Sequence, residues 1–215
     1  MIQKDLTEHF HHYMMNHIPL YDSLIKTITQ DYHMNNPVIL DIGSGPGILL
    51  ERVYHNFPQS YLIGLDRSPE MQMTAQNHLK NQPIHLVIGD SEFIPLQHDS
   101  VDIIISRFSV CYWNNVQNAV QEIKRILRPN GFGFFQMLNK DFSKFRLMMM
   151  KLLMNIHHTP PDVLSYHIDT FKIAYSIDEI NNILEESSFR IIQINGTRKE
   201  WMYTIIFQKP DKNQA

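Results

Sequence analysis

Asp41-Ile42-Gly43-Ser44-Gly45-Pro46-Gly47 concentrates residue types that can hold a small charged molecule. Glycines at alternate positions adopt backbone angles closed to other residues and let a ligand approach the main chain. A helix expected from Ile48 turns the free N–H groups of its first turn back toward this loop. Two more acids stand at comparable places. Asp66 closes the run Tyr61-Leu62-Ile63-Gly64-Leu65, nineteen residues after Gly47, and Asp90 follows Ile84–Ile88 in Gly89-Asp90-Ser91. An acid at the first of these positions suits ribose hydroxyls, and one at the second suits an adenine amino group.

The spacings favour one kind of nucleoside. A dinucleotide fingerprint, G-x-G-x-x-G, needs a third glycine where Ile48 stands. Asp41, just before the loop, would repel a pyrophosphate and attract an ammonium group. Three acids around a glycine loop therefore describe a nucleoside that carries positive charge, and S-adenosylmethionine has that form.

The elements that must position these residues alternate along the chain. Short apolar runs at 38–42, 61–65, 84–88 and 101–105 read as buried parallel strands. Helices are expected over 46–56, from Ser68-Pro69-Glu70 (an N-cap followed by proline), and over 116–127, where Val116, Ala119, Val120, Ile123 and Leu127 share a face. Arg128-Pro129-Asn130-Gly131 reads as a turn before a fifth strand at 132–138. A last helix at 177–187 precedes strands near 189–194 and 201–208, joined around Asn195-Gly196 as an antiparallel pair. The fold class is thus α/β: a doubly wound Rossmann-like sheet, mostly parallel with an antiparallel last strand and helices on both faces. Residues 3–30 read as helical, broken near Ile18-Pro19.

At 215 residues the chain is expected to be a single domain. Residues 1–35 form an N-terminal helical cap and 139–175 a helical insert over the acceptor site. Lys and Arg total 19 against 22 Asp and Glu, a net charge of −3, which offers no broad basic footprint for nucleic acid. Cys111 alone excludes a disulfide framework within the chain. With no leader pattern and no apolar run near 20 residues, a cytoplasmic protein without a membrane span is expected. The twelve histidines are scattered, and His157-His158 lacks a third ligand at recognisable spacing, so no metal is assigned.

Five segments in order resemble the class I methyltransferases that use S-adenosylmethionine, in their methyltransferase-11-like form. They are the Asp41–Gly47 loop, Gly64-Leu65-Asp66-Arg67-Ser68-Pro69-Glu70-Met71, Gly89-Asp90-Ser91-Glu92-Phe93-Ile94-Pro95, Phe108-Ser109-Val110-Cys111-Tyr112-Trp113 and the run from Glu122 to Gly131. The resemblance covers residues 10 to 138 and continues loosely through the final strands. It implies that Asp41, Gly43, Ser44 and Gly45 hold the methionine end of the cofactor. It implies further that Asp66 takes the ribose with Arg67 and Met71 beside it, and that Asp90 and Ser91 meet the adenine. Tyr21, in Ile18-Pro19-Leu20-Tyr21, looks like a tyrosine that covers the cofactor in some members, and Arg107 stands where cofactor and acceptor meet.

Competing readings attach to several of these residues. Asp66 could cap the next helix, Asp90 could serve a turn, and Tyr21 could belong to the core. Asp102 reads as structural and Cys111 as a small buried residue. Methyl transfer is an in-line displacement that needs geometry more than acid or base, so no catalytic residue is assigned. His17, Tyr21, Tyr112, His157, His158 and His167 are the available bases. The chain has Ser106-Arg107-Phe108-Ser109 where methylases of amino groups often carry Asn/Asp-Pro-Pro-Tyr, and a single cysteine argues against arsenic chemistry. The insert is rich in Met and Leu, which suits adaptable apolar surfaces, though a helix packed on the core reads as well from the same pattern. The expected function is methyl transfer to a small, partly apolar acceptor. The alternatives are a protein or RNA acceptor, a non-catalytic S-adenosylmethionine-binding protein, and a nicotinamide oxidoreductase with an aberrant loop.

Overall fold

The computed structural model describes residues 11–15, 19–31 and 35–211. Seven strands are present: β1 (Val38–Ile42), β2 (Tyr61–Asp66), β3 (Ile84–Ile88), β4 (Val101–Arg107), β5 (Leu127–Leu138), β6 (Arg190–Asn195) and β7 (Met202–Gln208). They form one sheet in the order β3-β2-β1-β4-β5-β7-β6. Neighbours from β3 to β5 pair in parallel, and β7 runs antiparallel between β5 and β6. The helices are α1 (Pro19–Asp31), α2 (Ile48–Asn56), α3 (Pro69–His78), α4 (Val116–Ile126), α5 (Lys144–Ile156), α6 (Pro161–Ile173) and α7 (Ile177–Glu186), with residues 11–15 helical as well.

Alternation within each strand divides the core in two. Leu40, Ile42, Ile63, Leu65, Ile104 and Phe135 face α4 and α7, packing with Val120, Ile123, Ile180 and Leu184. Ile39, Leu62, Ile103, Ile105 and Phe134 face α1 and α2, packing with Leu24, Ile28, Leu50 and Val53. Both faces being covered is why these strands read as continuous apolar runs. Ser68 caps α3, its Oγ accepting from Met71 N at 3.2 Å ahead of Pro69 in the first turn. Ser176 and Glu179 form a reciprocal capping box on α7.

One element departs from expectation. Residues 128–131 do not make a free turn, because β5 begins at Leu127 and carries them as a bulge. Val101 pairs with Leu127, yet Ile103 pairs with Phe132. Asn130 N donates to Lys209 O at 2.8 Å and Lys209 N to Gly131 O at 3.0 Å, so the extra residues find partners beyond β7. Asn130, at φ 63, supplies the left-handed turn. The break expected near Ile18 lies outside the described residues, although a helix does begin at Pro19.

The strand order has a functional consequence. From β1 the chain winds outward to β2 and β3, then returns to β4 on the other side of β1. Strand connections diverge at this switch point, leaving a crevice at the carboxyl ends of β1 and β4, the usual ligand site of such sheets. Asp41 and Arg107 sit at those two ends.

Candidate active site

Asp41 lies at the carboxyl end of β1, only 1% exposed, and its Oδ1 accepts no hydrogen bond from the described residues. Burial, together with the nearby negative charge of Asp66, pushes its carboxyl up to about 8; Arg107 opposes the shift without cancelling it. A buried acid in this state favours a cationic partner. The loop beyond it is held by Gly43 N and Ser44 N, which donate to Leu65 O at 2.7 and 3.0 Å. Gly43 has φ 77, and a Cβ there would lie 2.3 Å from that of Ser109, so no other residue fits. Gly45, at φ 53, differs: a Cβ there would meet nothing within 4 Å. Its backbone faces open space.

Asp66 closes β2. Its Oδ2 accepts from Gly45 N at 2.8 Å and its Oδ1 from Ser68 N at 2.9 Å, so the acid ties the loop to the start of α3. Burial raises its pKa, and these backbone N–H groups partly offset the rise. A carboxylate has about four acceptor sites, so two donors leave capacity for ligand hydroxyls. The cap reading and the ligand reading of Asp66 are compatible. Asp90 makes a local turn, its Oδ1 accepting from Glu92 N at 3.0 Å and from Ser91 Oγ at 3.4 Å. Arg67 donates to Asn114 Oδ1 at 3.2 Å from the rim, and Met71 is buried below it.

Arg107 is buried at the end of β4. Its Cζ lies 4.1 Å from the centroids of both the Tyr21 and Phe108 rings, and its Nε donates to Gln136 Oε1 at 2.7 Å. Phe108 adopts φ 56, a left-handed conformation costly for an aromatic residue, and its ring lies over the guanidinium. Arg107 Nη2 is buried with no partner among the described residues. A stacked guanidinium with one spare donor edge is arranged for an anion.

All eleven residues singled out from sequence line one cavity of about 670 Å³: Tyr21, Asp41, Gly43, Ser44, Gly45, Asp66, Arg67, Met71, Asp90, Ser91 and Arg107. That volume falls within the usual range for ligand pockets. The far wall, which sequence reasoning did not assemble, comes from Phe108, Trp113, Leu138 and, on α6, Tyr166 and Thr170. Tyr166 and Thr170 stand four residues apart, a spacing that marks one helix face. The phenol of Tyr112 meets the Thr170 hydroxyl, and its ring stacks on Tyr166 at 5.5 Å.

The possible bases separate. Tyr21, Tyr112 and His167 line the cavity, His157 and His158 are exposed outside it, and His17 lies outside the described residues. Burial pushes Tyr21 up to about 12 and raises Tyr112 and Tyr166, so these phenols keep their protons at neutral pH. Burial likewise pushes the Cys111 thiol up to about 12, as suits a packing residue. Asp102 accepts from Val38 N at 2.8 Å and pairs with Arg128 at 2.6 Å, a structural role.

The switch-point crevice, the glycine loop and the acids at the ends of β1 and β2 define a Rossmann-like nucleoside-binding protein. Residues 40–135 match the model of a methyltransferase domain family. An uncharacterized protein of Methanocaldococcus jannaschii is 28% identical over 182 residues, which cover 80% of this chain and 69% of that protein. A malonyl-[acyl-carrier protein] O-methyltransferase of Methylococcus capsulatus is 32% identical over 43% of this chain and 34% of its own. Several curated relatives, a human mitochondrial arginine-hydroxylase among them, are matched over only 33 to 51% of their own length. The crystal structure of a SAM-dependent methyltransferase from Aquifex aeolicus superposes with a TM-score of 0.67 at 18% identity, over 88% of this chain and 89% of that one, a likeness of fold. Residues 40–135 thus match a methyltransferase domain, the fold is that of the S-adenosylmethionine-dependent methyltransferases, and this likeness implies S-adenosylmethionine as the cofactor. No helix among the described residues is long and apolar enough to cross a membrane.

Proposed function

We propose that this protein moves a methyl group from S-adenosylmethionine to a small, partly apolar acceptor held in the same cavity. One observation carries the cofactor half of this reading: a buried carboxylate oxygen, Asp41 Oδ1, and a buried guanidinium nitrogen, Arg107 Nη2, lack partners among the described residues at one crevice. An amino acid end, with its ammonium and carboxylate, has the matching pair of charges. Asp41 takes the ammonium and Arg107 the carboxylate, with Gly43, Ser44 and Gly45 lining the loop and Tyr21 covering it. Asp66 accepts from the ribose hydroxyls, Arg67 and Met71 flank them, and Asp90 with Ser91 meets the adenine.

The bound cofactor supplies an electrophilic methyl group on a sulfonium. The protein's part is orientation and exclusion of water. Phe108, Trp113, Leu138 and Tyr166 give the acceptor an apolar wall, and Tyr112 with Thr170 gives it a hydroxyl pair. The tyrosines serve as hydrogen-bond donors, because burial holds their protons. The chain acts as one domain, with the N-terminal helices and α6 as its cap, and its single cysteine suits a reducing cytoplasm.

Calorimetric titration with S-adenosylhomocysteine and NAD tests the cofactor site. The homocysteine product should bind, and Asp66→Ala should weaken it by about tenfold or more, as loss of hydrogen bonds to a charged group predicts. Binding of NAD alone would refute the reading. Labelled S-adenosylmethionine offered to cell extract then tests the acceptor, with label expected in the small-molecule fraction. Label confined to protein or RNA would overturn the acceptor class, and in the RNA case binding should fall steeply with salt. Tight cofactor binding with no transfer to any fraction would make the protein a non-catalytic binder.

A further inference from the structure

Helix α5 is built inside out. No residue of it is fully buried. Phe145, Met148, Met149, Leu152, Leu153 and Ile156 are each between 40 and 67% exposed. Their positions run i, i+3, i+4, i+7, i+8, i+11, so they form one continuous stripe. Leu147 and Met150, on the opposite side, are the residues that pack against Leu138, Phe171 and Ala174. The stripe therefore faces away from the protein for the full length of the helix, about 20 Å at the standard rise. Scattered exposed apolar residues need no explanation, whereas a contiguous patch of this kind marks an interaction surface.

The charges around the stripe identify what covers it. Residues 142–161 contain Lys144, Arg146 and Lys151 and no acid, although the whole chain is net negative. At 100° per residue, Lys144 and Lys151 fall on one flank of the stripe and Arg146 on the other. His157 and His158 extend the same end, both exposed. An apolar stripe flanked by long basic side chains is the pattern of a helix lying in the surface of an anionic bilayer: the stripe enters the acyl boundary and the cations reach the headgroups. A second copy of this chain fits poorly. Pairing two such helices would bring Lys144, Arg146 and Lys151 of both copies together, with no acid on either helix to pair with them.

We propose that α5 docks this protein on the surface of a membrane that contains anionic lipid. The docked face lies one helix away from the cavity. α6, which packs on α5, supplies Tyr166 and Thr170 to the cavity wall. Docking thus sets the acceptor wall next to the headgroups, in reach of apolar molecules dissolved in the bilayer.

Co-sedimentation with vesicles tests the inference on the full chain. Binding should be at least about fivefold tighter to phosphatidylcholine vesicles that include phosphatidylglycerol than to phosphatidylcholine alone, as expected for even one basic residue reaching the surface, and should weaken as salt is raised. Leu152→Ser with Leu153→Ser, at exposed sites, should reduce binding about tenfold or more. Titration with S-adenosylhomocysteine should be unchanged in that variant, reporting the fold and the cofactor site separately from docking. Failure to bind either vesicle overturns the proposal, as does equal binding that the substitutions leave untouched. Sedimentation as a dimer that the same substitutions dissociate would assign the stripe to a second copy, and overturns it too.

Discussion

Asp41→Asn separates what the site costs the fold from what it gives the ligand. The substitution keeps the size of the side chain and removes its charge. Burial places the Asp41 carboxyl at about 8, against an ordinary value of 3.8. Well below 3.8 the group is protonated in folded and unfolded chains alike and contributes no difference. As pH rises the unfolded chain releases the proton first, so the ligand-free protein loses stability until the folded group ionises near pH 8, and is level above it. About four units at roughly 1.4 kcal/mol each give a ceiling near 6 kcal/mol. Structural relaxation reduces it, and about 3 kcal/mol is a realistic figure for an uncompensated buried charge. The asparagine variant should therefore gain on the wild type steadily from pH 4 to 8, ending about 6–12 °C higher in Tm at about 2–4 °C per kcal/mol. Thermal melts of both proteins across that range measure the gap. S-adenosylhomocysteine should shrink it, since an ammonium beside Asp41 favours the ionised form, and cofactor binding to the wild type should release a proton below pH 8. A gap that stays constant with pH would refute the reasoning, because Asp41 would then titrate as an ordinary carboxyl.

Two further changes probe the neighbouring geometry. Arg107→Lys keeps the positive charge but loses the planar group stacked between Tyr21 and Phe108 and its bond to Gln136; affinity for S-adenosylhomocysteine should fall about tenfold or more by calorimetry, and equal affinity would show that charge alone suffices. Gly43→Ala forces a Cβ to 2.3 Å from that of Ser109 at φ 77; it should cost about 1–3 kcal/mol in denaturant melts by strain and overpacking, whereas Gly45→Ala, with open space around it, should cost less stability and show its effect on ligand binding.

The parts legible in the sequence are those fixed by local backbone needs. Gly43 and Gly45 announce their left-handed angles, Ser68-Pro69 announces the start of α3, and apolar runs of five residues announce strands covered on both faces. Acids at strand ends are equally visible, and Asp41, Asp66 and Asp90 stand out together for that reason. The position of Arg107 is legible, but its sandwich is not, because it depends on Tyr21 from a distant helix and on the unusual φ of Phe108. Residues 128–131 carry turn chemistry, yet their hydrogen bonds to Lys209, some eighty positions away, draw them into β5. The insert exposes the limit most plainly. A 3.6-residue period says that a helix has an apolar side and nothing about whether that side points in or out, and packing on the core was the natural reading of the Met-rich stretch. In α5 the wider apolar face points out.

The position of β7 bears on how the molecule comes to be made. β6 is synthesised first, yet among the described residues its one neighbour in the sheet is β7, and β7 is also what covers the outer edge of β5. Until residue 208 has left the ribosome tunnel, β5 presents a bare row of amides and carbonyls along Phe132–Leu138, and β6 has nothing to join. The nascent chain thus carries an open edge through the whole synthesis of the insert, and unpaired edges of this sort invite pairing with other chains. A chain stopped within the loop before β7 would keep that liability permanently, even with its glycine loop and all three strand-end acids already in hand.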